Sequence, residues 1–246
     1  GGGGRLLPME IYAEGNTVKV FKFENLIGQI SRLFPPKAIK NLMLQISGKV
    51  EQRQKQVSLN EILKEINLSV ERLKPDYTLK VEGHFHPSEV EEFIKTLEGV
   101  YIPGSELKGA FRTAIFYHLL TNYSHLWEQF IKELLQFLRN FNSNDKKILK
   151  AFNQHWENKI FAGKPLSEPF RGRESPKGTE DILNFLRVED SETEEPSKVL
   201  VLKHLTLRNT KKDIRVWVES LKVNSTFEFK IGWNSRGVEK FVETRL

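Results

Sequence analysis

The chain has 246 residues, enough for one large domain or two small ones. Its 38 Lys and Arg against 32 Asp and Glu leave a net charge of +6, a mild basic excess that suits nucleic acid but falls short of a purely electrostatic binder. With no cysteine, disulfides and thiolate metal sites are excluded, and no apolar run reaches the roughly 18 residues that a bilayer span needs; the chain reads as soluble and cytoplasmic, with no membrane partner.

The opening "GGGG" carries no fold information and reads as a tag remnant or as a join across absent residues. "NTVKVFKFENLIGQISRLF" begins as an alternating strand (Val18, Val20, Phe21, Phe23) and turns helical near Asn25, until Pro35 and Pro36 stop it. "KAIKNLMLQISGKV" reads as a short helix closed by Gly48. Ser58 and Glu61 have capping-box spacing ahead of "SLNEILKEINL", a helix start. Tyr77, Leu79 and Val81 alternate as a strand. Ser88 with Glu91 repeats the capping-box spacing and predicts a helix ending at Gly99. From Thr113 the chain is helical, interrupted by "NSND" at 142–145. A Pro- and Gly-rich charged loop follows over 162–181. "SKVLVLKHLTLRN", "DIRVWVESLKV" and "STFEFKIGW" then alternate as three antiparallel strands.

This order predicts an α+β fold, helices on one face of an antiparallel sheet. The expected divisions are 10–112 (first part of the core, with helical elaboration), 113–161 (helical insert), 162–181 (flexible loop) and 182–246 (β-rich part completing the sheet).

The stretch "YIPGSELKGAFRTAIFYHLL" (101–120) raises a chemical question. Pro103 and Gly104 make a tight entry, and Ser105 is the expected N-cap of a helix. Lys108 and Arg112 share one face near the helix start, where the macrodipole already disfavours cations. An anion at that spot would explain them, because free amides, dipole and hydroxyl converge there. Gly109 sits inside the helix at a cost of about 1 kcal/mol against Ala, and it would let a sugar–phosphate backbone approach. Leu107, Phe111, Ile115 and Leu119 form an apolar face expected to dock on the sheet. The plain alternative is an ordinary capped helix with two solvated cations. A phosphate-binding loop is excluded because Lys108 precedes Gly109 rather than following a glycine loop. The S-x-x-K match of Ser105 and Lys108 lacks the K-T-G and S-D-N elements of serine acyl enzymes.

"IPGSELKGAFR" resembles the helix motif of the RAMP superfamily of CRISPR proteins, matching it at Ile102, Pro103, Gly104, Ser105, Leu107, Lys108, Gly109 and Arg112. With "EIYAEGNTVKVFKFENLI" and "DILNFLRVEDSE", the chain looks most like the family of fifth subunits of the type III-A (Csm) effector complex. The resemblance implies a ferredoxin-like (RRM-like) antiparallel sheet core with a helical insertion. It further implies a structural subunit that holds guide (CRISPR) RNA near its 3′ end in antiviral and anti-plasmid defence. Its partners would be guide RNA, the other subunits of the type III-A complex and host nucleases, with no cofactor. Gly104, Ser105, Lys108, Gly109 and Arg112 map onto RNA contacts, made with phosphates more than with bases. Of the glycine-rich loop that commonly ends the family, "FKIGWNSRGVEK" keeps Gly232 and Trp233.

The alternative function is a RAMP-type endoribonuclease that processes CRISPR RNA. His84 and His86 in "GHFHPSE" would share a strand face and act as general base or as RNA contacts. Without a third ligand at a recognisable spacing they do not read as a metal site. The acidic run 188–196 reads as a solvated turn. Most aromatics of the helical block read as core rather than as base-stacking platforms. No residue here matches the catalytic loop Asp of the related RNA-cleaving subunit, and no catalytic residue is expected.

Overall fold

A computed structural model describes residues 4–53, 57–141, 145–172, 181–208 and 213–245. In chain order the elements are β1 (Arg5–Leu6), β2 (Ile11–Glu14), β3 (Thr17–Val20), α1 (Phe23–Leu33), α2 (Pro36–Arg53), α3 (Leu59–Glu65), β4 (Tyr77–Glu82) and β5 (Val90–Glu91). Then come α4 (Gly104–Asn122), α5 (Ser124–Asn140), α6 (Lys146–Phe161), β6 (Leu186–Val188), α7 (Pro196–Val199), β7 (Leu200–Leu207), β8 (Ile214–Leu221), β9 (Ile231–Trp233) and α8 (Ser235–Arg245). The protein is α+β and falls into two compact units. Unit 1 is Gly1–Tyr101 with Glu192–Phe227; unit 2 is Ile102–Ser191 with Glu228–Leu246.

Unit 1 is built on a seven-stranded sheet, β1-β5-β8-β7-β4-β3-β2. The sheet is mixed rather than wholly antiparallel: β4 runs parallel to β7 and β5 parallel to β8. Strand alternation sets its buried face. Val18 lies opposite Leu79 and Val20 opposite Tyr77, and these residues join Val81, Leu200, Leu202 and Trp217 in one cluster. A second cluster packs α1, α2 and α3 around Phe21, Leu26, Ile30, Leu59 and Ile62. The start of α1 is capped from outside: Phe23 N–H donates to Glu10 Oε1 at 2.9 Å and Lys22 N–H to Asp76 Oδ2 at 2.7 Å. Ser58 caps α3 as expected, its hydroxyl accepting from Glu61 N–H.

Three local expectations are overturned here. The helix predicted from Ser88 is absent, because Val90 and Glu91 form β5 between Trp217–Val218 of β8 and Arg5–Leu6 of β1. Gly48 does not end a helix, as α2 runs through it to Arg53. The last of the three predicted strands keeps only Ile231–Trp233, which pairs with β6 in a separate two-stranded ribbon.

Unit 2 is mainly α4, α5 and α6 around an aromatic core of Phe137, Phe152 and Trp156, with Phe116, Phe130, Phe141 and Phe170 packed against it. Phe137 and Phe152 centroids lie 4.6 Å apart, and Phe130 meets Trp156 edge-on at 5.1 Å. The expectation that most aromatics are core holds for these, while Tyr117, Tyr123 and Trp127 are exposed. The segments 142–144 of "NSND" and 173–180 of the expected loop lie outside the described residues. Among the described residues no helix is long and apolar enough to cross a membrane.

Candidate nucleic-acid interface

The motif helix α4 starts where two chain segments run side by side. Ile102 N–H donates to Ser191 Oγ at 2.9 Å, and Ser191 N–H returns a bond to the Ile102 carbonyl at 3.0 Å. One step on, Gly104 N–H donates to Asp190 Oδ1 at 2.8 Å. Glu189 N–H reaches the Lys230 carbonyl at 3.0 Å, tying the same segment to the strand that becomes β9. An anion does sit at the start of the helix, and it is the protein's own Asp190, where the dipole favours a negative charge. Pro103, not Ser105, occupies the N-cap position, and Ser105 makes no side-chain cap. The acidic run is therefore more than a solvated turn: Asp190 and Ser191 shape the helix entry.

Each mapped residue has a distinct setting. Gly104 is buried against β6, and a Cβ there would lie 2.3 Å from the Val188 carbonyl oxygen. Ser105 is exposed and Lys108 half-buried. Neither has a side-chain hydrogen bond or ion pair with a described residue. Gly109 is exposed, and an added Cβ there would meet nothing within 4 Å. Arg112 is occupied. Its Nε contacts Glu157 Oε2 at 2.8 Å, its Nη2 contacts Asp181 Oδ2 at 2.5 Å, and the guanidinium lies over the Phe161 ring at 4.4 Å. Burial works against the Arg112 charge, but the hydrogen bonds to Asp181 and Glu157 outweigh it and hold its pKa above the ordinary value. Asp181 also caps the short turn after it through Leu183 N–H at 2.8 Å.

Ser105, Lys108 and Gly109 thus form one outward surface, while Gly104 and Arg112 face inward to the fold. Of the apolar face expected to dock on the sheet, Leu119 instead joins the helical core beside Phe116 and Leu120, and Ile115 is exposed. Beside the helix entry, β6 and β9 place Arg187 opposite Gly232 and Leu186 opposite Trp233. Trp233 is half-exposed. Asn234 then starts α8, accepting from Gly237 N–H at 3.1 Å.

Residues 78–244 match the profile of the RAMP superfamily. The chain belongs to the RAMP superfamily. Among relatives of this RAMP protein, the "CRISPR system Cms protein Csm5" of Methanocaldococcus jannaschii is 24% identical over 230 residues, covering 91% of the chain. The chain spans about half of that relative, 47% of its length. The crystal structure of T. onnurineus Csm5 superposes with a TM-score of 0.68 at 23% identity, over 98% of this chain and 67% of that one. A chain from a cryo-EM structure of a type III-A Csm–crRNA–target RNA ternary complex gives 0.61 at 22% identity, over 98% and 63%. At these identities the likeness is one of fold.

His84 and His86 lie elsewhere, in unit 1, and not on a strand: β4 ends at Glu82, Gly83 turns the chain at φ +107°, and both rings are exposed beyond it. Phe85 between them packs edge-on against Trp217 at 5.1 Å. Among the described residues no group of three or more His, Asp and Glu gathers as for a metal ion. Sequence reasoning missed Asp181, Asp190 and Glu157, the acids that organise the motif. The quoted "DILNFLRVEDSE" contains two of them, but nothing local in it signals that they meet α4.

Proposed function

We propose that this RAMP protein is a non-catalytic, RNA-binding structural subunit of a type III-A CRISPR effector complex, holding guide RNA near its 3′ end. One observation carries the reading: on the family motif, Lys108 stands without a described ionic partner beside Gly109, whose surface is open. That is a site for a phosphodiester backbone, with charge from Lys108, a hydroxyl from Ser105 and close approach over Gly109. A subunit that accepts any spacer needs contacts of this kind, since phosphates carry no sequence. The fold of a chain from a Csm–crRNA–target RNA complex, which this chain shares, supports it. So does the strand pattern: the parallel pair β4 and β7 is flanked by antiparallel β3 and β8, the strand directions of a ferredoxin-like (RRM-like) sheet. Partners under this reading are guide RNA, the other effector subunits and host nucleases.

Of the two motif cations, Lys108 is the phosphate ligand and Arg112 the clamp that holds α4 to Glu157 and Asp181. Single-stranded RNA binding across a salt series separates the roles. Lys108→Ala is expected to weaken binding and flatten the log–log salt slope by about 0.7, one single-strand contact, with unchanged unfolding. Arg112→Ala is expected to lower stability and leave the slope of the protein that remains folded close to wild type. An unchanged slope in Lys108→Ala removes RNA from this surface. The endoribonuclease alternative has its own check: His84→Ala/His86→Ala is expected to leave RNA affinity and complex assembly intact, and loss of a measured RNA-cleaving turnover in that variant would make the chain an enzyme.

A further inference from the structure

Unit 1 contains a cleft of about 850 Å³ that the RNA reading does not use. Tyr77, Phe93 and Ile94 line it, together with Lys22, Glu92 and Lys95. The charges inside are matched to one another. Glu219, with no exposed side-chain surface, accepts from Tyr77 Oη at 2.6 Å, from Lys95 Nζ at 2.6 Å and from Phe93 N–H at 2.8 Å. Glu92 takes Lys95 at 3.3 Å and is also paired with Lys22. Burial first, then the adjacent Glu219 charge, push the Tyr77 phenol far above its ordinary pKa, so it remains a donor. Both lysines are therefore committed, and neither is available to a phosphate.

The mouth has the opposite sign to the chain as a whole. Asp76, Glu98 and Glu195 are exposed around it, whereas the full sequence carries +6. On its lip a turn lifts Leu97 completely into solvent, at 107% relative exposure. The turn is braced. Lys95 bridges Val100, and Val100 bridges Glu194. Thr96 N–H donates to the Gly99 carbonyl at 2.9 Å. Gly99 sits at φ +149° with its α-carbon tight against Glu194, where an added Cβ would lie 2.5 Å from the carbonyl oxygen. A large apolar side chain is thus presented to water by a fixed backbone, beside a cleft lined by rings and internally paired charges and acidic at its edge.

Such an edge repels RNA and favours cationic side chains, which is how complementary interfaces choose partners. We infer that the cleft and its Leu97 lip dock a segment of a partner protein that presents Arg or Lys to Glu98 and Glu195 and an apolar side chain against Leu97. A short anchored segment suits the cleft, since a few buried contacts dominate most interfaces. The partner would be a neighbouring subunit, so this docking surface rests on the reading of the chain as an effector subunit.

The test is co-expression with the remaining protein subunits and guide RNA of its own type III-A locus, followed by quantifying each subunit that co-purifies. Leu97→Asp and the double variant Glu98→Lys/Glu195→Lys change only exposed side chains, so melting should match wild type. Each is expected to lower recovery of one subunit at least tenfold while the isolated chain's single-stranded RNA affinity stays unchanged. Full recovery of every subunit in both variants overturns the docking surface and leaves the effector reading standing. A change in RNA affinity in Leu97→Asp gives the cleft to nucleic acid instead and also overturns it. Failure of the wild-type chain to assemble with any subunit overturns the effector reading itself, and the docking surface with it.

Discussion

Lys159→Ala is expected to destabilise unit 2 by about 3–5 kcal/mol, the range for removing one partner of a buried ion pair. The Lys159 side chain has no exposed surface. Its Nζ donates to Glu133 Oε1 at 2.6 Å and to the Leu166 carbonyl at 2.8 Å, and it lies over the Trp156 ring at 4.6 Å. Glu133 Oε2 faces His155 Nε2 at 3.3 Å. Removing the lysine takes the cation from a carboxylate that is 10% exposed and leaves the Leu166 carbonyl with Gln129 Nε2, at 2.7 Å, as its remaining donor. Urea unfolding of the single variant, of Glu133→Gln, and of Glu133→Gln/Lys159→Met resolves the pair. The double variant is expected to recover much of the loss, since apolar replacement of a whole buried pair is often near neutral. A Lys159→Ala midpoint equal to wild type would show that the network contributes nothing. The same group sets an acid limit. Burial raises the Glu133 pKa, but His155 and Lys159 outweigh it and hold the carboxyl below its ordinary 4.5. The unfolded chain then binds the proton more readily. Glu133 thus contributes its stability in full above about pH 4.5 and loses it as pH falls through the lower folded value.

That network shows where sequence reading stops. Glu133, His155 and Lys159 read only as positions on amphipathic helices, because charge pairing between helices leaves no local pattern. Local patterns were legible where local physics decides. Tyr77, Leu79 and Val81 alternate because one face of β4 is buried, and Ser58 caps α3 through a hydrogen bond three residues long. Ser88 and Glu91 carry the same spacing yet form no helix, since pairing of Val90 and Glu91 with β8 and β1 wins over the local preference. In the motif, the residue types drew attention to Lys108 and Arg112, but not to the different settings the two side chains take. Arg112 takes its partners from Glu157, 45 residues on, and from Asp181. Lys108 and Arg112 look equivalent in sequence, and only the tertiary contacts show Arg112 paired and Lys108 without a described ionic partner.

The two glycines of the motif should respond in opposite ways, and this contrast separates fold from function most sharply. Neither is held in the left-handed region, so each is glycine for what lies beside it. At Gly104 a methyl group would stand 2.3 Å from the Val188 carbonyl oxygen and 2.6 Å from that of Glu189. Both are backbone atoms, and one is pinned by the ribbon that pairs Val188 with Ile231. Gly104→Ala therefore has to push β6 away from α4 and strain the Asp190 cap, an overpacking cost of about 1–3 kcal/mol or more. At Gly109 the same methyl meets nothing, and Ala in an exposed helix interior is expected to raise stability by up to about 1 kcal/mol. The described residues thus give no reason for Gly109, whereas the proposed phosphate backbone seated between Ser105 and Lys108 would. Gly109→Ala is expected to unfold at higher temperature and to bind single-stranded RNA several-fold more weakly, with the salt slope little changed because no charge is lost. Gly104→Ala is expected to melt lower, its RNA binding falling only with its folded fraction. Undiminished RNA affinity in the stabilised Gly109→Ala would remove close approach over this helix from the mechanism, leaving Lys108 to act at longer range.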